Sequence, residues 1–203
     1  MSTTKLNKPR GRPPAFDHDE ALEKALKVFW LRGYEGASMA ELTDALGINR
    51  PSIYGAFGNK EELFRKALHK YLSGPVAYVA DAMNEPTARQ VVEKFLANSA
   101  EFLTNPNNPP GCMIVQGALS CGVESELIRD ELIAYRKGYE EALRQRFELA
   151  QAQADLPANI NPADLAKYVA TIHQGMSVQA KSGASRDELM GLVKTVLESW
   201  PSK

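Results

Sequence analysis

The chain has 203 residues, 44% of them hydrophobic and 24% charged. That is ordinary globular usage in a length able to bury roughly 70% of the surface its unfolded form exposes, and with only two cysteines it excludes wholesale disorder, a collagen-like fibre and a disulfide scaffold. The net charge of −1 hides a split, because residues 1–72 carry twelve Lys+Arg against nine Asp+Glu (net +3) and residues 73–203 carry twelve against sixteen (net −4).

Residues 1–15 read as a flexible basic arm: Lys5, Lys8, Arg10 and Arg12 stand there without a single acid. A charge run is most often a solvated face, but an unopposed basic arm on an acidic protein suits an anionic polymer. The arm runs into Pro13, Pro14 and then acids, which is not the pattern of a signal peptide. No apolar run approaches the roughly 18 residues of a membrane span. The expected setting is therefore cytoplasmic, with reduced thiols and no membrane partner.

Helical spacing then recurs to the end of the chain, with no convincing strand and no internal repeat. Leu22, Ala25, Leu26 and Phe29 line one helical face, opened by Asp17 with Glu20 and stopped by Gly33. Ser38 with Glu41 forms a capping box before a short helix ending at Gly47, and Asn59 with Glu62 resembles another before a helix through Tyr71. Further helices are expected at about 86–104, 111–122, 124–153, 162–182 and 185–199, with breaks at 105–110 and 156–162. The chain thus reads as all-α with about nine helices. We place a boundary near residue 72, with 16–72 as one domain and 73–203 as a second, larger one.

The segment 38–57 has helix-turn-helix dimensions. Pro51 fits the first turn of its second helix, with Asn49 or Arg50 as the cap. At 100° per residue, Ile53, Ala56 and Phe57 fall on one side. Pro51, Ser52 and Gly55 fall on the other, flanked by Arg50 and Tyr54. A short helix that is apolar inside and small or polar outside can lie in a major groove.

Three stretches, 16–34, 38–48 and 52–64, together resemble the DNA-binding domain of the TetR family of bacterial transcriptional regulators. The third carries the family's signature in Tyr54, Phe57, Lys60, Glu61 and Leu63. The resemblance implies an N-terminal helix-turn-helix domain joined to a helical ligand-binding and dimerisation domain. It implies a ligand-responsive repressor, active as a homodimer on double-stranded operator DNA and released by a small-molecule effector. It assigns Tyr54 and Lys60 to phosphates, Ser38 and Thr43 to flanking backbone contacts, and Arg50, Pro51 and Ser52 to base edges. Arg10 and Arg12, held extended by prolines, would enter the minor groove. Gly55 either allows close approach to DNA or contributes nothing.

In the remainder, two apolar stripes on the last helices are candidates for the dimer interface: Tyr168, Ile172, Gly175 and Met176, then Leu189, Val193, Val196 and Trp200. Either could instead be protomer core. Tyr78, Phe95, Phe102, Met113, Gln116, Tyr135, Tyr139 and His173 are candidates for an effector pocket, mostly apolar with a few polar groups. Cys112 opens a helix, where a thiolate is favoured, so a redox or electrophile sensor is an alternative to a structural thiol. A DNA-binding protein without effector is another alternative. Catalysis is not expected: the three histidines show no ligand spacing, neither a Cys-x-x-Cys nor a His-Glu-x-x-His occurs, and no cofactor or metal is implied.

Overall fold

The computed structural model describes residues 16–119 and 122–201. The basic arm with Arg10 and Arg12, and Cys121, lie outside the described residues. Within them the protein is entirely helical: α1 His18–Gly36, α2 Met39–Leu46, α3 Arg50–Phe57, α4 Lys60–Ser73, α5 Tyr78–Ala82, α6 Ala88–Leu103, α7 Met113–Gln116, α8 Glu126–Ala152, α9 Pro162–Lys181 and α10 Arg186–Glu198, with a 3-10 turn at Val123–Ser125 before α8.

The starts of these helices are written in short polar side chains. Ser38, Asn59 and Ser185 each accept the N–H of the residue three along, and Glu41, Glu62 and Glu188 return the bond to the cap N–H. Asp17 accepts from Asp19 and Glu20 without that return. Thr87 with Gln90 forms one more reciprocal cap, at the head of α6. Each such cap is worth about 1 kcal/mol.

Every expected helix has a counterpart, with two differences. The short α5 was not expected; five residues are too few to display a helical period. The helix expected over 111–122 is only the four residues of α7. It stops because the chain turns to present the Gly117 carbonyl to α1, where Tyr34 N–H donates to it at 2.8 Å.

Helices α1 to α4 form a compact head around Phe29, Leu42, Ile53, Leu63 and Phe64, all fully buried. Phe29 meets Phe64 edge to face at 5.1 Å, a geometry aromatic pairs prefer. In the larger body, α8 lies along α9, and α6 is flanked by α5, α9 and α10. One apolar core runs continuously from head to body, through Trp30, Tyr71 and Phe102.

Candidate DNA-reading surface and effector pocket

The candidate reading helix is α3. Asn49, not Arg50, is its cap: Asn49 Oδ1 accepts Ser52 N–H at 2.9 Å, and Pro51 occupies the first turn. Before it, Gly47 takes the left-handed conformation (φ 70°) that lets α2 end and the chain turn sharply. Ile53 and Phe57 are buried, leaving Arg50, Pro51, Tyr54 and Gly55 exposed. Arg50 is exposed and has no hydrogen bond or ion pair among the described residues. A side chain added at Gly55 would meet nothing within 4 Å in the protein.

The flanking residues are more engaged. Ser38 is committed as the α2 cap. Thr43 donates its hydroxyl to the Met39 carbonyl at 2.6 Å. Lys60, in the first turn of α4, lies 4.5 Å from the centroid of the Tyr34 ring, and burial lowers its pKa against the favourable charge of Glu35. Tyr34 thus orients Lys60 through a cation–π contact, a partnership twenty-six residues apart that no helical spacing reveals.

A cavity of about 510 Å³ opens between α5, α6, α8 and α9, in the size range of small-molecule sites. Of the eight sequence candidates, Tyr78, Phe95, Tyr135, Tyr139 and His173 line it, and Cys112, Ile114 and Val115 of the α7 segment form one wall. Among the described residues, no carboxylate, lysine or arginine lines it. Its hydroxyls are largely engaged: Tyr78 shares a hydrogen bond with Ser99 Oγ at 3.3 Å, and Tyr139 donates to the Ala170 carbonyl at 3.2 Å while accepting from Gln174.

Phe102, Met113 and Gln116 do not line the cavity. They belong to a joint between head and body built on residues 111–117. Phe102 stacks on Trp30 at 5.3 Å, and Trp30 Nε1 donates to the Gly111 carbonyl at 2.8 Å. Met113 is fully buried, and its N–H donates to Tyr71 Oη on α4. Gln116 Nε2 donates to the Ser177 carbonyl at 2.8 Å, tying the same segment to α9. Gly33 makes the approach of α1 feasible: at φ 73°, ψ 176° it breaks that helix and frees Tyr34 N–H for Gly117. On the surface, Glu35 accepts from Gly122 N–H and Ser125 Oγ, and Arg65 pairs with Glu131 at 2.9 Å.

Residues 21–67 match the family model for bacterial regulatory proteins of the tetR family, and residues 86–196 match the tetracyclin repressor-like C-terminal domain. The chain belongs to the TetR family. It is 35% identical to the HTH-type transcriptional repressor ComR of Escherichia coli over 98% of this chain and 96% of ComR. To the repressor BdcR of the same organism it is 29% identical, over 98% and 100%. Among solved structures, a cysteine variant of the TetR-family regulator CifR bound to 26-bp operator DNA shares 43% identity, with a TM-score of 0.89 over 94% of this chain and all of that one. A TetR regulator from Rhodococcus shares 41% identity, with a TM-score of 0.63.

For a TetR-family chain, two expectations need correction. Met176, Leu189, Val193, Val196 and Trp200 are not an open interface but protomer core, each at most 9% exposed. The inner faces of α9 and α10 turn toward α6 and α8, and Trp200 lies 5.9 Å from Phe147 of α8. Of the eight interface candidates, only Tyr168 and Gly175 are exposed, with Ile172 half-buried beside them. Val178, 46% exposed, continues that outer strip of α9, a residue missed because the apolar stripes were assigned outward. The second correction concerns Cys112. It does cap α7, but burial pushes its thiol above the ordinary value, outweighing the Tyr71 hydroxyl that donates to Sγ at 3.3 Å and the α7 N–H groups. A four-residue helix has little dipole to offer a thiolate. Among the described residues no helix is long and apolar enough to cross a membrane.

Proposed function

We propose that this chain is a homodimeric repressor released from operator DNA by a small molecule held in the cavity between α5, α6, α8 and α9. The observation that carries the reading is the double role of residues 111–117. One side of the segment walls the cavity through Cys112, Ile114 and Val115; the other holds α1 and α4 through Trp30, Tyr34 and Tyr71. A ligand that presses on this wall favours a conformer in which α4, and with it α3, is displaced. Only a difference in affinity for the two conformers can release DNA. The relatives named as repressors, and the operator complex of CifR, support the direction of control.

In the reading head, Arg50 supplies base discrimination, Tyr54 and Lys60 contact phosphates, and Pro51 and Ser52 border the base edges. Ser38 and Thr43 flank the backbone with their remaining hydrogen-bond capacity. Pairing of two heads spaced by successive major grooves needs a dimer. The outer strip of α9, from Tyr168 through Ile172 and Gly175 to Val178, is its candidate surface, because Gly175 has open space above it for a partner helix.

The test is fluorescence anisotropy with a labelled duplex from the region upstream of the protein's own gene. Arg50→Ala should weaken binding by about 1–3 kcal/mol and relax selectivity at one base pair. Deleting residues 1–12 removes four cations and should both weaken binding and flatten its dependence on salt. Unaltered affinity in the Arg50 variant, or no sequence-selective binding by the wild type, would overturn the assignment.

A further inference from the structure

We infer that the effector is a neutral, largely apolar molecule carrying one hydroxyl group, and that this hydroxyl docks on the imidazole of His173. The inference rests on the pocket reading above and adds the chemical class of the ligand.

His173 lies on α9 and is 5% exposed, yet among the described residues neither Nδ1 nor Nε2 has a hydrogen-bond partner. It stands in an aromatic setting, 4.9 Å from the Phe95 ring and 5.5 Å edge to face from Tyr139. Buried polar groups are nearly always paired, because leaving one unmade costs roughly 1–3 kcal/mol. An unpaired imidazole on a cavity wall is therefore a polar group already desolvated and awaiting a partner. The neighbouring groups cannot supply one cheaply: Tyr78 is bound to Ser99, and Tyr139 to Ala170 and Gln174.

The partner's chemistry follows from the ring and its surroundings. Burial favours the uncharged imidazole, which presents one N–H donor and one bare nitrogen acceptor. A hydroxyl can answer either nitrogen; both are covered, so docking turns the ring toward the cavity. A carboxylate or ammonium group would enter a cavity without an opposing charge, at a desolvation cost that nothing on its walls offsets. The remaining walls, such as Val76, Met83, Phe95 and Ile114, are apolar and suit a compact hydrocarbon frame.

A matched pair of probes isolates the hydroxyl: para-ethylphenol and ethylbenzene, which share one frame. Binding is followed by thermal shift, and by the side-chain nitrogen resonances of histidine-labelled full-length protein. Para-ethylphenol should bind wild type roughly five- to tenfold more tightly than ethylbenzene, the worth of one hydrogen bond to a pre-desolvated group. It should also displace the His173 resonances, and the preference should vanish in His173→Phe. The resonances need no variant, so the inference stays testable if His173→Phe folds poorly. Equal binding of the two probes, or a preference that survives in His173→Phe, overturns the polar anchor and leaves the pocket standing. Failure of both probes to bind overturns the anchor together with the pocket reading.

Discussion

Gly33→Ala is expected to destabilise the protein by about 2–4 kcal/mol and to weaken communication between pocket and DNA. Two costs combine. The backbone at φ 73°, ψ 176° lies in a region essentially reserved for glycine, at about 1–3 kcal/mol for any other residue. The added methyl carbon would also stand 3.0 Å from the Gly117 carbonyl oxygen, the same oxygen that accepts Tyr34 N–H. Relieving that contact moves α1 from residues 111–117 and surrenders a hydrogen bond worth about 1 kcal/mol. Chemical denaturation measures the loss, and Gly47→Ala supplies the comparison. Gly47 is also left-handed, but its added carbon meets nothing within 4 Å, so its cost should stay near the 1–2 kcal/mol of the conformation alone. If Gly33→Ala proves no costlier than Gly47→Ala, the close packing of α1 on Gly117 is not what holds the joint.

The second large effect is a loss of stability in mild acid. Burial pushes the pKa of His173 down to about 4, against roughly 6.5 in the unfolded chain. Above pH 6.5 both states hold the ring neutral, and the shift contributes nothing to the pH dependence. Between about 6.5 and 4 the unfolded chain takes a proton that the folded protein refuses, so stability falls as pH falls. From pH 7.5 to pH 5 the loss should be about 2 kcal/mol, or roughly 4–8 °C in Tm for a chain of this size. The groups facing His173 do not share this window, since burial raises Tyr139, Tyr78 and Cys112 rather than lowering them. Thermal unfolding across that range is the measurement. His173→Phe should flatten the slope between pH 7.5 and 5; a variant as acid-sensitive as the wild type would locate the effect elsewhere.

Much of the head was legible because its information is local. Caps such as Ser38 with Glu41, the proline in the first turn of α3, and the glycine at 47 act within four residues, and sequence displays them directly. Five pocket residues were found for a cruder reason: aromatic and soft side chains in the middle helices have few other places to go. The errors share a different cause. Periodicity identifies the apolar face of α9 and α10 but not what covers it, so Met176, Leu189 and Val193 were offered to a partner when α6 and α8 already bury them. Likewise Phe102, Met113 and Gln116 look like pocket residues in isolation. Their role depends on Trp30 and Ser177, dozens of residues away, and on the break at Gly33. His173 is the intermediate case. Its position was readable, but its lack of a hydrogen-bond partner exists only once α6, α8 and α9 are assembled around it.

The joint also determines where light will report on the protein. Of its two tryptophans, Trp30 sits inside the joint, its indole N–H on Gly111 and its ring against Tyr71 and Phe102. Trp200 lies at the opposite end, on Phe147. With Trp200→Phe, the remaining emission comes from the point where head and body meet. A shift of that single band on adding an effector would be an unlabelled optical signal of the switch itself, and its absence would mean that binding leaves the Gly111 contact undisturbed.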